Sequence, residues 1–385
     1  MSVKKKFLAI CLGSLSAAAA HAQTSVTLYG IADGDVRVDR TSIGTLTSIG
    51  SGGESGTRWG IRGTEDLGGG LKAVFTFEQG FDLSDNSVPQ GNTGGTTPNS
   101  PVGSTGSRLF SRTAQVGLSS AQAGDVLFGR AYTPFYVTWT SIDPMAGGLV
   151  GGAQNFASGN VTRFDNAIYY NSPKLYGFQA NGAYRLGEST TDSVASGSVK
   201  NGGNAGNVSL SYAAGPLLAA VSFISTKSSL DNNTVRTGFA GAVYDFRVVK
   251  LDAMYFNTRN ATTTKIQSYS LGLTVPINAF NVFAQAAHID NKYNANGSLL
   301  KYNDANFIGF GGQYNLSKRT DLYVSWAKQF NQGQAVNVVT DASNAGLETV
   351  TGQNLNNGTI VSAANANIAP GFNPWSAQAG IRFKF

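Results

Sequence analysis

Few residues in this chain could do covalent chemistry. Its 385 residues hold one Cys and two His. Cys11 and His21 fall in the first 22 residues, which read as a leader, so only His288 remains beyond them. A zinc site of His/Cys type is thereby excluded, and a Ser-His-Asp triad would have to use His288. No G-x-S-x-G, P-loop or H-E-x-x-H run occurs. No cofactor and no resident metal is expected; Asp341 to Asn344 could bind Ca²⁺, but exposed loop polarity fits those residues better. What the sequence offers instead is charge at alternate positions: Asp33, Asp35 and Arg37, then Arg58 and Arg62, then Arg382 and Lys384. Charges that share one strand face suit a wall against water, where they act on passing ions.

Strands must position these charges. The chain is dominated by short segments with period-two alternation. At its C-terminal end Trp375, Ala377, Ala379, Ile381, Phe383 and Phe385 fall on one face, and Ser376, Gln378, Gly380, Arg382 and Lys384 on the other. Val26 and Leu28 lie opposite Thr27 and Tyr29, whose face continues through Asp33, Asp35 and Arg37. Trp59 and Ile61 lie opposite Arg58 and Arg62; Leu71, Ala73, Phe75 and Phe77 lie opposite Lys72, Thr76 and Glu78; Tyr269 to Val275 and Ile308 to Leu316 alternate likewise. The pattern is ambiguous around 126–131 and 248–256. Seven tight connectors, near residues 66–70, 119–124, 172–177, 213–216, 245–249, 276–279 and 316–320, alternate with eight longer polar stretches. Those stretches lie near 39–57, 83–107, 133–162, 187–206, 226–235, 258–265, 290–305 and 332–373. Sixteen strands follow, with short turns on one side and long loops on the other. That is the signature of an antiparallel transmembrane β-barrel.

Composition agrees. Only 13% of residues are charged, and 48 are Gly, which disfavours helices. No apolar run after the first twenty residues is long enough for a transmembrane helix. Lys4 to Lys6, the apolar stretch Phe7 to Ala20 and the small residues Ala20 and Ala22 read as a secretory signal over 1–22, leaving a single barrel domain over 23–385. Removing that segment lowers the formal charge from +6 to +3. The basic residues are scattered and the chain is exported, so nucleic acid is not expected as a partner. A bilayer interior demands a closed sheet, because every backbone N–H and C=O there needs a protein partner.

The stretch Tyr132 to Thr162 differs from the other loops. It carries Pro134, Phe135, Tyr136, Trp139, Ile142, Pro144 and Met145, then a glycine-rich run from Gly147 to Gly152. An exposed loop has no use for so many large apolar groups. The expectation is that it folds into the lumen and narrows it; contacts with another subunit or with lipopolysaccharide are the alternative. Tyr29, Trp59, Tyr244, Phe383, Trp375 and Phe385 are candidates for aromatic girdles at the two interfaces.

Several segments resemble the general porins of the β-proteobacterial outer membrane. They are Ser25 to Gly30, the long run Arg58 to Ala73, Val116 to Leu118, Gly129-Arg130, Arg163 to Pro173, Asn315 to Thr320 and Phe385. The resemblance implies a sixteen-stranded barrel in the outer membrane of a Gram-negative bacterium, assembled as a homotrimer. It would sit in outer-membrane lipid and lipopolysaccharide and pass ions and small hydrophilic solutes by diffusion. It also implies that Phe385 is read by the barrel-assembly machinery. Porins of this family often favour anions, with wall arginines facing acids on or near the third loop. Carried over, the arginines are Arg58, Arg112 and Arg163, and Glu78 is the acid near the loop base. Strand parity agrees for Arg58 and for Arg163, which with Asp165 lies opposite Phe164 and Ile168. Arg112 shares parity with the lipid-side residues Val116 and Leu118, so either a bulge intervenes or the assignment fails. Asp143 is the loop acid expected near the constriction. A channel specific for organic acids or sugars, a barrel enzyme or adhesin, and a secreted β-sandwich or β-helix are the competing readings.

Overall fold

The alternating segments become strands in the computed structural model. It describes residues 24–84, 109–159, 161–187, 202–227, 233–260, 264–295, 298–300, 304–333 and 371–385, with short stretches between 335 and 362. Residues 1–22, read from the sequence as a leader, and Asp341 to Asn344 lie outside the described residues. The wall strands are β1 (Ser25–Thr41), β2 (Arg58–Gly68), β3 (Leu71–Gly80), β4 (Thr113–Ser120), β5 (Gly124–Tyr132) and β6 (Arg163–Asn171). Next come β7 (Phe178–Arg185), β8 (Ala205–Ala214), β9 (Leu217–Lys227), β10 (Thr234–Asp245) and β11 (Lys250–Asn260). The last are β12 (Thr264–Ile277), β13 (Phe280–Ala295), β14 (Ala305–Asn315), β15 (Thr320–Asn331) and β16 (Trp375–Lys384).

Each strand pairs antiparallel with its neighbours in sequence, and β16 pairs with both β15 and β1, from Ile31↔Lys384 to Arg40↔Trp375. The sheet therefore closes, and the sixteen-stranded antiparallel barrel expected from connector lengths is the observed fold. Closure leaves no edge whose polar groups would meet hydrocarbon. Phe385 extends the seam: its N–H and C=O exchange 3.0 Å hydrogen bonds with Gly30. A Cβ on Gly30 would overlap the Phe385 ring, so the terminal aromatic lies flat across the one residue type that admits it.

One further strand, Gly44–Ser51, lies within the first long connector and pairs with the upper half of β1, while β2 pairs with the lower half. The stretch 39–57 is thus partly strand, and only its tail, 52–57, turns inward.

The third loop folds into the lumen. After the N-cap Thr133, whose hydroxyl accepts from the Tyr136 N–H, Pro134 starts the short helix α1 (Pro134–Thr140). Phe135, Trp139, Val150 and Phe156 are wholly buried against Ile224, Phe239, Met254, Phe256, Ile266 and Phe307, which point inward from β9 to β14. Hydrogen bonds fasten the loop to the wall, from the Phe135 N–H to Asn207, the Gly151 N–H to Ser325, and Gln329 to the Asn155 carbonyl.

The inward packing corrects three sequence readings. The inward face is not uniformly polar: beneath the loop it is apolar, which explains why alternation failed at 248–256. Phe164, expected on the lipid side with Ile168, is wholly buried in the same cluster; Asn166, at φ 47°, breaks the alternation between them. Tyr29 is no girdle residue, because its hydroxyl donates to Glu78 at 3.2 Å and Arg62 lies 5.4 Å over its ring, both from inward faces.

Candidate functional site

Arg58, Arg112 and Arg163 come together although 105 residues of sequence separate the first from the last. Along with Glu54, Tyr132, Tyr136 and the α1 residues Val137 and Thr140, they line one cavity of about 250 Å³ between the wall and the third loop. Arg58 opens β2, and its Nε lies 3.5 Å from Glu78. Arg163 opens β6, with its guanidinium 4.1 Å over the Tyr132 ring. Arg112 precedes β4. Its backbone N–H donates to the carbonyl of Glu78, while Glu78 is also the registered partner of Thr113. Two residues thus stand opposite one, as in a β-bulge, and this local irregularity turns Arg112 away from the lipid-side parity of Val116 and Leu118. The side chain is buried, donates to Glu78 at 2.8 Å and to the Tyr132 hydroxyl, and sits 5.7 Å from the Tyr132 ring centroid.

Glu78, the acid picked out by the sequence, is therefore shared by two arginines. Tyr132 and Tyr136 stack with centroids 4.8 Å apart, and Trp139 meets Tyr136 edge-on. Neither tyrosine was singled out as a site residue, because aromatics in a loop and at a strand end carry no signal of whether they meet water or the core.

The tail of the first loop completes the cavity. Asp33, at the centre of β1, accepts from the backbone N–H groups of Glu54 and Ser55 at 3.1 and 2.6 Å and from the Tyr323 hydroxyl at 2.5 Å. Arg382 on β16 donates to Ser55 and Asp321 and reaches Glu54 at 3.0 Å. Asp33 and Arg382 thus hold a loop tail in place. Gly56 passes so near Arg112 that a Cβ would stand 2.7 Å from its Nη1. Glu54 carries no sequence signal, since it lies in a connector. Burial pushes its carboxyl up to about 8; Arg382 opposes the rise and the adjacent Asp321 adds to it.

Asp143 takes a different place from the one expected. Its carboxylate accepts from the N–H groups of Met145, Gly147 and Ala153 within its own loop, and burial still pushes it up to about 6. It lines a second cavity of about 730 Å³ on the far side of the loop, with Lys250, Asp252, Gln313 and Arg382. Glu54 and Ala146 border both cavities, so the two spaces approach each other at the gap between the first-loop tail and the third loop.

The remaining charged candidates are distributed along the inner wall. Asp35 is buried against Gly50 and Gly53. Arg37 pairs with Asp39 at 2.8 Å, Lys384 lies 3.6 Å from Asp321, and Asp165 pairs with Arg130. Arg62 is exposed beside Tyr29. His288 stands on the outward face of β13, its Nδ1 2.9 Å from Asn306. Among the described residues no group of three or more His, Cys, Asp or Glu side chains could hold a metal ion.

Residues 8–334 match the family model described as Gram-negative porin. An outer membrane porin of Bordetella pertussis is 32% identical over 85% of this chain and 95% of its own length. Outer membrane porin protein 32 of Delftia acidovorans is 32% identical over 90% of this chain and 93% of its own length. A solved structure, the anion-selective porin from Comamonas acidovorans, superposes with a TM-score of 0.73 at 27% identity, covering 94% of this chain and all of that one.

Proposed function

Since the chain belongs to the Gram-negative porin family, we propose that its channel prefers anions modestly, that Arg58, Arg112 and Arg163 set this preference, and that it works as a homotrimer. The protein itself is an outer-membrane β-barrel of general diffusion, passing ions and small hydrophilic solutes through a water-filled lumen. The observation that carries the preference is the convergence of three guanidinium groups on one cavity.

Glu78 pairs with Arg58 and Arg112, and Glu54 pairs with Arg382, so only a small positive excess remains at the cavity when both acids are ionised. So small an excess in water-filled space discriminates weakly, because water and salt screen it. Glu78 shares the wall with Arg58 and Arg112, while Glu54 enters with the first-loop tail, so the arginines set up a field that runs across the cavity from that wall. Apolar solutes displace water ordered in that field and are disfavoured, while small dipolar ones are turned to pass. Asp33 and Arg382 act in this reading as positioning residues for the first-loop tail, and Asp143 for the third loop.

Family and fold make the protein a channel rather than an enzyme. That it performs no catalysis is part of the proposal, and its support is the place of His288, bonded to Asn306 on the outer wall. The role of Phe385 in recognition by the assembly machinery is likewise proposed, supported by its position in the closing seam.

Purified protein in planar bilayers under a KCl gradient tests the reading. Stepwise conductance with a reversal potential on the anion side is expected, and a cation-selective pore overturns the arginine assignment. Mass determination of the detergent-solubilised particle tests the trimer.

A further inference from the structure

The outer wall carries a row of charge with no role in permeation. Arg236 on β10 is the registered partner of Arg259 on β11. Arg259 is in turn the partner of Lys265 on β12, and Lys265 of Lys292 on β13. Four cations on four successive strands thus stand side by side. All four are exposed, and each adjoins a buried residue that points inward: Thr237, Thr258, Ile266 and Asn291. The four therefore face outward.

Like charges directly opposite each other in a sheet repel and destabilise it. Three consecutive like-charged pairs are therefore costly unless something else balances them. Among the described residues carboxylates do so only at one end: Asp290 lies 3.0 Å from Lys292, and Asp304 also acts on that lysine. Within the row Arg259 has the neutral side-chain oxygen of Asn257 at 3.3 Å.

Position identifies the missing anion. Four residues closer to the barrel's middle on the same outward face, Tyr255 and Tyr269 are registered partners with ring centroids 5.1 Å apart, as befits an interfacial aromatic pair. Leu271 and Leu251 follow two and four residues beyond them, both exposed. Four residues are about 13 Å of strand, so the cations lie roughly 10 Å above the tyrosines at ordinary strand tilt, on the long-loop side. That is headgroup depth in the outer leaflet. Adjacent guanidinium groups suit phosphate, whose oxygens accept paired N–H donors.

We infer that Arg236, Arg259, Lys265 and Lys292 form an outward-facing binding row for the phosphate groups of outer-leaflet lipid. The row spans three strand spacings, about 14 Å, enough to engage more than one phosphate of a single headgroup. Bound phosphate replaces the repulsion along the row with attraction and ties this side of the barrel to its lipid.

The test uses folded full-length protein in detergent, titrated with lipopolysaccharide and with the same lipid enzymatically stripped of phosphate. Native protein is expected to bind the phosphorylated form at least tenfold more tightly. The variant Arg236→Gln/Arg259→Gln/Lys265→Gln/Lys292→Gln is expected to lose that difference while keeping native conductance, since none of the four faces the lumen. If this variant fails to insert as a channel, Arg259→Gln/Lys265→Gln is expected to lose at least threefold. A control variant on the short-turn side, Lys72→Gln/Lys174→Gln, is expected to bind as native. Retention of phosphate dependence by the row variants overturns the site, as does an equal loss in the control. Displacement of the lipid by an equal concentration of inorganic phosphate overturns the lipid assignment.

Discussion

Exchanging single charges in the arginine cavity should move ion selectivity in opposite directions by similar amounts. The perturbations are Arg163→Gln, which removes a positive charge, and Glu78→Gln, which removes a negative one while keeping an acceptor for Arg112. Arg163 lines a cavity of about 250 Å³, which brings a passing ion within about 5 Å of it, and Glu78 lies directly behind the lining groups Arg58 and Arg112. One unit charge at that distance in water acts with about 0.8 kcal/mol, and a Debye length of about 10 Å at 0.1 M salt reduces this to about 0.5 kcal/mol. Anion and cation respond with opposite sign, so their permeability ratio shifts by about 1 kcal/mol, or about fivefold. Arg163→Gln should therefore bring a modestly anion-selective pore to neutrality or slight cation preference, and Glu78→Gln should strengthen anion preference. Reversal potentials across planar bilayers at 0.1 M mean KCl, repeated at 1 M, provide the assay. At 1 M the Debye length falls to about 3 Å and both shifts should largely vanish. Shifts of the same sign in the two variants, or no shift in either with normal unit conductance, would refute the claim that these groups border the ion path.

Glu54 gives the channel a pH response. Its carboxyl is raised to about 8, so it is mostly neutral at pH 6 and mostly charged at pH 9. Anion preference should fall as pH rises between these values, and Glu54→Gln should abolish the change; an unaltered pH profile in that variant would count against the assignment. A carboxyl raised by folding favours the protonated state, so its contribution to stability is full at low pH and is lost as pH rises through about 8. Trp139→Ala should cost the docked third loop about 3–5 kcal/mol and yield a noisier pore of higher mean conductance in single-channel records. Gly30→Val should lower the yield of heat-resistant folded barrel on gels, because a side chain at 30 and the Phe385 ring cannot share one space; native yield would exclude a role for that contact in closure.

Much of this architecture was legible because a lipid-facing wall imposes period two and a closed sheet imposes connector parity. The failures occurred where those constraints were lifted. Gly44–Ser51 reads as loop because a hairpin above the bilayer has no apolar face to show. Phe164 was placed on the lipid side because a left-handed residue at Asn166 leaves no mark in the hydrophobic pattern. Arg112 was ambiguous for a similar reason: the irregularity that turns it inward lies in backbone hydrogen bonding, and Phe110 at φ 55° belongs to the same distorted entry. Glu54, Tyr132 and Tyr136 escaped notice because their roles depend on two loops meeting inside the barrel. Arg58 and Glu78, by contrast, stand in regular β2 and β3, where parity alone determines direction.

The chain's inward residues follow from where the third loop lies. From β9 to β14 the wall beneath the loop presents Ile224, Phe239, Met254, Phe256, Ile266 and Phe307. A guanidinium there would be desolvated without a partner, which costs several kcal/mol. Around the open half, the inward positions of β1 to β3 and β16 include Asp33, Arg58, Arg62, Glu78 and Arg382, where charge meets water or an opposite charge. The division into a dry half and a wet half is what concentrates the arginines on one wall. The passage therefore cannot be coaxial with the barrel, and its field must be one-sided. A loop that lay freely in the lumen would let water reach the whole wall, and nothing would then favour apolar residues at inward positions of the middle strands. Their presence ties the loop's docked state to the sequence of strands far from it, so channel width is encoded as much in Phe256 and Phe307 as in the loop.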